Sequence, residues 1–170
     1  MRWPEYLAQT AACPDRARLV LGAMSGTSSD GVTVALIETA GYALRRSVRL
    51  VAHRTFEYPS ELRQRIFELY PPKRFDAGTL LRMALDVAAA FADAVNALLQ
   101  EAGVAPEQAH LLSVHGPTVY YAPPGPHNQG RGGFLELMEP RSASSATSCC
   151  FAIPPVGASS RTSGVSPTPR

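Results

Sequence analysis

Apolar residues recur first with a period of two and later with a period near 3.6, which divides the chain into a strand-rich part and a helical part. RLVLGAM, residues 18–24, reads as a short buried strand. VTVALIE, residues 32–38, reads as a second, with Val32, Val34 and Leu36 on one face. SVRLVAHRTFE, residues 47–57, alternates less cleanly but is β-rich, and Gly41 with Tyr42 marks the turn before it. Three sequential strands with short links predict an antiparallel meander.

Helical spacing then takes over. Ser60 is a suitable N-cap for ELRQRIFELY, where Leu62, Ile66 and Leu69 recur on one face, and Pro71 and Pro72 stop the helix. Asp76 can cap a longer helix running to about Glu101, with Leu80, Leu81, Ala84, Val87, Ala88, Phe91, Val95 and Leu98 as a wide apolar stripe. Gly103 and Pro106 suit its C-terminal side. HLLSV, residues 110–114, is a short buried strand that runs into HGPTVYYAPPG, a Gly/Pro/Asn loop follows over 123–133, and FLEL, 134–137, is one more strand. The predicted order β-β-β-α-α-β-β is an α/β fold: a mixed sheet that starts with an antiparallel three-strand meander and is flanked by helices.

Composition changes the picture at both ends. Residues 141–170 hold eight Ser, three Thr and four Pro but no Leu, Asp, Glu or Lys. No strand or helix period survives there, and such a segment buries too little apolar area to offset the entropy of ordering it. Two readings stand: a disordered tail, or a GC-rich coding region read in a shifted frame after Pro140, which would also account for the adjacent Cys149 and Cys150. Residues 1–17, with Trp3, read as a disordered N-terminal segment containing no apolar stretch of signal-peptide length. The net charge of +2 comes from the tail, where Arg141, Arg161 and Arg170 face no acid; residues 1–140 carry 13 basic and 14 acidic groups. A nearly neutral folded part gives no reason to expect a nucleic-acid partner. No apolar run approaches the ~20 residues of a membrane span. Three cysteines without ligand spacing suggest neither a disulfide framework nor a zinc site, and the cytoplasm is the expected compartment.

The chemistry lies in SGTSSDG, residues 25–31, between the first two strands. Gly26 and Gly31 allow positive φ and close approach of a ligand to the backbone. Thr27, Ser28 and Ser29 offer hydroxyls and successive N–H groups, the makings of an anion nest. Asp30 adds a carboxylate for Mg²⁺. The segment is neither a Walker A loop nor a dinucleotide-binding glycine motif. By residues alone it is either a phosphate cradle or a polar turn without a ligand.

MSGTSSDGVTVALIE resembles the opening of the anhydro-N-acetylmuramic acid kinase family, whose first hairpin carries M-S-G-T-S-x-D-G-x-D. SVHGPTVYYAPPGPHNQGRGG resembles that family's H-x-Q-T-V-x-H-x-P segment, and FLELMEP its strand ending L-G-[DE]-P. The resemblance covers about residues 18 to 140 and implies the N-terminal lobe of an actin-like, ribonuclease H-like kinase in which two lobes close over ATP. It implies ATP and Mg²⁺ as cofactors, and a reaction that phosphorylates 1,6-anhydro-N-acetylmuramic acid while water opens the anhydro bridge. The product, N-acetylmuramic acid 6-phosphate, enters cell-wall recycling. A homodimer is implied for the intact family, with no membrane or nucleic-acid partner. By the same resemblance Gly26, Thr27, Ser28, Ser29, Asp30, Gly31, Val32 and Thr33 meet the nucleotide, Asp30 the metal, and His115 and Thr118 the sugar.

This chain departs from the family pattern at several matched positions. Thr33 stands where the motif has Asp, Pro117 where it has Gln, and Met138 where it has Gly. The family's catalytic Asp, in a D-F-R segment beyond the position of Pro140, has no counterpart, because residues 141–170 contain no Asp. The expectation is therefore a truncated or frame-shifted member without turnover of its own; the rival reading is a non-catalytic lobe that binds nucleotide or sugar. His127, Asn128 and Arg131 read as solvated loop residues, and Asp86 and Asp93 as the solvent face of the long helix. His53 and His110 receive no role.

Overall fold

A computed structural model describes residues 13, 15–41, 43–70, 75–122, 124–126, 133–137 and 149–151. Alternating residues build the first strands, β1 (Arg18–Met24), β2 (Gly31–Ala40) and β3 (Ser47–Glu57), with a 3₁₀ turn at Ala43–Arg45 before the third. β1 pairs antiparallel with β2, and β2 with β3 along its whole length. Two helices follow, α1 (Ser60–Glu68) and α2 (Ala77–Glu101), and then a 3₁₀ turn at Pro106–Gln108. β4 (Ala109–His115) returns parallel to β1. A hairpin of β5 (Thr118–Ala122) and β6 (Gly133–Glu136) forms a second, two-stranded sheet. The main sheet runs β3-β2-β1-β4-β7, where β7 (Cys149–Phe151) pairs antiparallel with β4. The sheet is mixed and opens with the expected meander.

The core forms where the inward face of the sheet meets the helices. Leu21 and Ala23 of β1, Val32, Val34 and Leu36 of β2, and Val114 of β4 are buried with Leu62 and Ile66 of α1 and Val87, Phe91, Val95 and Leu98 of α2. Burying a side chain of this size stabilises the fold by about 1.5–3 kcal/mol. By length and composition α2 could span a membrane; a buried core helix meets the same criterion, and this one lies with its apolar face on the sheet.

Both ends of α2 follow from local chemistry. Asp76 caps it, with Oδ1 accepting from the Thr79 amide at 3.0 Å and Oδ2 from the Thr79 hydroxyl at 2.8 Å. These bonds favour the carboxylate and hold its pKa below the ordinary value. At the other end Gly103 takes φ +66°, its amide donates to Gln100, and the Val104 amide donates to Leu99, the paired bonds of a Schellman motif.

Several expectations need correction. Ser60 is not the cap of α1: Pro59 occupies that position and makes no side-chain cap bond, so Ser60 is the first helical residue. Leu81 is half exposed, whereas Met83 and Leu99 are buried. Leu81 lies one 100° step around the helix from Leu80, on the flank of the stripe. Residues 118–122, which the neighbouring prolines disguise, form β5. Within the segment expected to lack strands, Cys149–Phe151 pair with β4; the remainder of 141–170 lies outside the described residues, as do Pro71, Pro72, Met138, His127, Asn128 and Arg131. At the N-terminal side, Arg18 is buried and donates to the carbonyls of Cys13 at 2.7 Å and Arg16 at 3.0 Å, tying that stretch to β1.

Candidate functional site

β1 and β4 are parallel, so their carboxyl ends lie side by side, with Met24 opposite His115. The crevice outside the carboxyl ends of parallel strands is where open α/β sheets bind ligands. Two sequence motifs meet there: the turn 25–30 that links β1 to β2, and the stretch that leaves β4. The Ser25 amide donates to the His115 carbonyl at 3.0 Å and joins them directly.

The turn is fastened from beneath. Ser29 donates its amide to the Gly26 carbonyl at 3.0 Å, and its side chain is fully buried, with Oγ 3.1 Å from the Tyr70 hydroxyl. Tyr70, just beyond α1, also donates that hydroxyl to the Thr27 carbonyl at 2.9 Å. One phenol therefore clamps two residues of the turn. The hydroxyls of Ser25 and Tyr58 are buried, without a partner in hydrogen-bonding geometry among the described residues. Burial pushes the Tyr58 phenol up to about 12, and the nearby Ser25 hydroxyl counters part of that rise.

These contacts redistribute the roles read from sequence. Ser29 faces inward and its amide is spent, so it shapes the turn and does not face a ligand. Val32 places its side chain in the core, 1% exposed. Neither Gly26 nor Gly31 takes a positive φ; the left-handed residue is Ser29, at φ +48°. Gly31 is needed for another reason: a Cβ there would lie 2.1 Å from the Phe56 carbonyl oxygen of β3 and 2.8 Å from the Glu57 Cα. Thr33 is exposed, and its hydroxyl pairs across the ladder with that of Thr55 at 2.8 Å. Gly26, Thr27 and Ser28 are exposed. The amides of Gly26, Thr27, Ser28 and Asp30 make no hydrogen bond with any of the described residues. The turn thus presents unspent N–H donors on a rigid base, the arrangement of an anion nest.

Asp30 is exposed, and its Oδ1 accepts from Arg63 Nη2 of α1 at 2.5 Å. Among the described residues no three His, Cys, Asp or Glu side chains are grouped to hold a metal ion. The donor set therefore does not fit an ion held by the protein alone, while a single carboxylate suits an ion that arrives already bound to phosphates.

His115 sits beside the turn with both ring nitrogens facing oxygen. Nδ1 is 2.9 Å from the Gly116 carbonyl and Nε2 3.1 Å from Glu136 Oε1 of β6. Thr118 opens β5 opposite Glu136. The carbonyl of Pro117, a fully buried residue, accepts the Leu137 amide at 3.0 Å, so at this departure from the family motif the chain is packed at the base of the β5–β6 hairpin. Arg63, Tyr70 and Glu136 were not among the residues singled out from sequence. Each reaches the site from more than twenty positions away, and no local pattern links them to it. His110, given no role, accepts the Leu19 amide through Nδ1 at 3.3 Å. Burial, helped by the charges of Arg16 and Arg18, lowers its pKa.

Comparison with known proteins matches the sequence of this region to a family. A family model described as anhydro-N-acetylmuramic acid kinase matches residues 18–132. The anhydro-N-acetylmuramic acid kinase of Caldanaerobacter subterraneus subsp. tengcongensis is 37% identical over 106 residues, which are 62% of this chain and 27% of the relative. That of Trichormus variabilis is 38% identical over 119 residues, 70% of this chain and 29% of the relative. That of Synechococcus elongatus is 39% identical over 105 residues, 62% and 27% respectively. The match thus spans less than a third of the length of these curated relatives. The turn, the parallel β1–β4 pair and His115 all fall inside the matched residues, and the chain belongs to the anhydro-N-acetylmuramic acid kinase family.

Proposed function

We propose that residues 18–140 form the N-terminal lobe of an ATP-dependent sugar kinase that acts on 1,6-anhydro-N-acetylmuramic acid in cell-wall recycling, and that this lobe supplies the nucleotide-phosphate cradle. The observation that carries the reading is the turn itself. It has four unspent backbone amides, at Gly26, Thr27, Ser28 and Asp30, at the carboxyl ends of two parallel strands. Oriented amides stabilise phosphate charge without reorganising during transfer, as phosphoryl-transfer sites require. The Thr27 and Ser28 hydroxyls add donors at the same edge. Magnesium would enter with the nucleotide and neutralise phosphate charge, with Asp30 as the carboxylate facing it. In this reading His115, held by Gly116 and Glu136, and Thr118 would meet the sugar. Such a reaction belongs in the cytoplasm, where ATP is abundant, and the homodimer of the intact family is part of the same reading.

The acid that the resemblance assigns as base lies beyond position 140, and residues 141–170 contain neither Asp nor Glu. A positioned base is worth roughly 10²–10⁴ in rate. The 170 residues are therefore expected to bind ATP without turning over the sugar. The test incubates the purified chain with ATP, Mg²⁺ and the anhydro sugar, following both nucleotide binding and product. Saturable binding without product is the expected result. Turnover would overturn the assignment of the base, and absence of ATP binding would overturn the cradle.

A further inference from the structure

Arg63 lies on α1, and a sequence reading of the turn has no use for it. Its Nη2 donates to Asp30 Oδ1 at 2.5 Å, and its guanidinium carbon stands 5.4 Å from the centre of the Phe67 ring, one helical turn along. The head group is therefore held in place by a carboxylate on one side and a ring face on the other. It remains accessible, with its side chain 47% exposed, and among the described residues only one of its five N–H donors is engaged. It borders a groove of about 660 Å³ on the flank of the turn, shared with Asp30, Glu57, Ser60, Gln64 and Phe67. Asp30 bears both the carboxylate that holds Arg63 and one of the four unspent amides. The guanidinium is thus one residue's reach from the anion nest.

We propose that Arg63 is a phosphate-binding residue of this site, held in reserve by Asp30. Before a ligand arrives, the pair cancels its own charge, which leaves Glu57 as the remaining charge in the groove. When phosphate oxygens settle on the turn amides, the guanidinium turns its free N–H groups to them, and the Asp30 carboxylate loses its partner. Arginine is suited to this exchange because its planar fork can meet a carboxylate and a phosphate in the same geometry. The inference rests on the reading that the turn takes phosphate, and it assigns Asp30 a second role: restraining the anion site when no metal is present.

The two partners then have opposite effects on metal-free binding, which a single measurement can read. Titrating the 170-residue chain with ATP in EDTA, and separately with inorganic phosphate, should show Arg63→Gln weakening both by about tenfold, the loss of one charge-assisted hydrogen bond. Arg63→Lys should recover part of that loss. Asp30→Asn should tighten metal-free binding, because it releases the guanidinium and removes a negative charge. If the wild-type chain binds ATP but Arg63→Gln binds equally well, or Asp30→Asn weakens metal-free binding, the role of Arg63 is overturned while the cradle stands. If the wild-type chain binds neither ATP nor phosphate, the cradle itself is overturned, and this inference with it.

Discussion

The turn 25–31 and the stretch 115–118 lie side by side at one edge of the sheet, yet they are held by different chemistry. The turn is held from the inside: a buried serine, a tyrosine that clamps two of its residues, and a glycine pressed against the β3 backbone. None of those contacts involves a net charge, and salt leaves them untouched. His115 is held by a carbonyl on its own chain and by Glu136 across from β6, with side chains 42% and 20% exposed. Partly exposed charge pairs contribute little and are screened by salt. The contrast separates a preorganised cradle from an adjustable flank. Under the proposed function, a site that holds phosphate rigidly and admits a sugar beside it would use one of each.

The strongest way to break the contrast is to remove the rigidity of the turn at its base. In Gly31→Ala the new Cβ meets β3 backbone atoms, which cannot rotate away as a side-chain tip can. Overpacking in a well-packed region costs about 1–3 kcal/mol, and the upper part of that range is expected here. Denaturant unfolding would read it as a lower midpoint at unchanged slope. A variant as stable as the wild type would mean that the β2–β3 ladder yields, and that the turn is less rigid than argued.

Tyr70→Phe comes next. The ring keeps its packing, but Ser29 Oγ and the Thr27 carbonyl lose the hydroxyl between them. The expected loss is about 1–2 kcal/mol, since a buried hydroxyl is left unsatisfied. A structural loss alone would leave phosphate affinity of the folded chain unchanged, whereas a clamp that positions the amides predicts weaker ATP binding at temperatures where the variant is fully folded. Measuring both separates the two roles.

Features written in a few neighbouring residues were legible before the structure was known. The face of Val32, Val34 and Leu36 followed from alternation, and the α2 boundaries followed from Asp76 and Gly103, because period and caps are properties of short windows. The errors occur where a residue's role is decided by a distant partner. Ser29 has the look of a ligand-facing hydroxyl until Tyr70, 41 positions away, is seen to claim it. Gly31 reads by sequence as a residue for positive φ or close ligand approach, but the close approach of Phe56 is what excludes a side chain there. Arg63 was one polar residue among several on an amphipathic helix until folding set it against Asp30. Ser60 had the right side chain for a cap, but Pro59 already supplied the extended backbone at that position, and the helix began one residue earlier than a Ser60 cap would place it.

The mildest test concerns the adjustable flank. In the His115 contacts the Gly116 carbonyl can only accept, so Nδ1 is the donor there and Nε2 is left to face Glu136. Glu136→Gln replaces the carboxylate with an amide that can still meet Nε2 but carries no charge. Stability should fall by no more than about 1 kcal/mol, the scale of an exposed ion pair. The informative readout is the salt dependence. Measured in a buffer acidic enough to protonate the imidazole, so that Nε2 also donates to the carboxylate, the wild-type melting temperature should drop slightly between low and moderate ionic strength as this pair is screened, and Glu136→Gln should flatten that part of the slope. Among the described residues, four other exposed pairs, Arg49–Glu38, Arg54–Glu101, Arg63–Asp30 and Arg65–Asp86, remain in both proteins and serve as the internal baseline. If the variant kept the full wild-type slope, the His115–Glu136 contact would carry no charge interaction, and the flank would be held, like Ser29 and Thr27 of the turn, by neutral bonds.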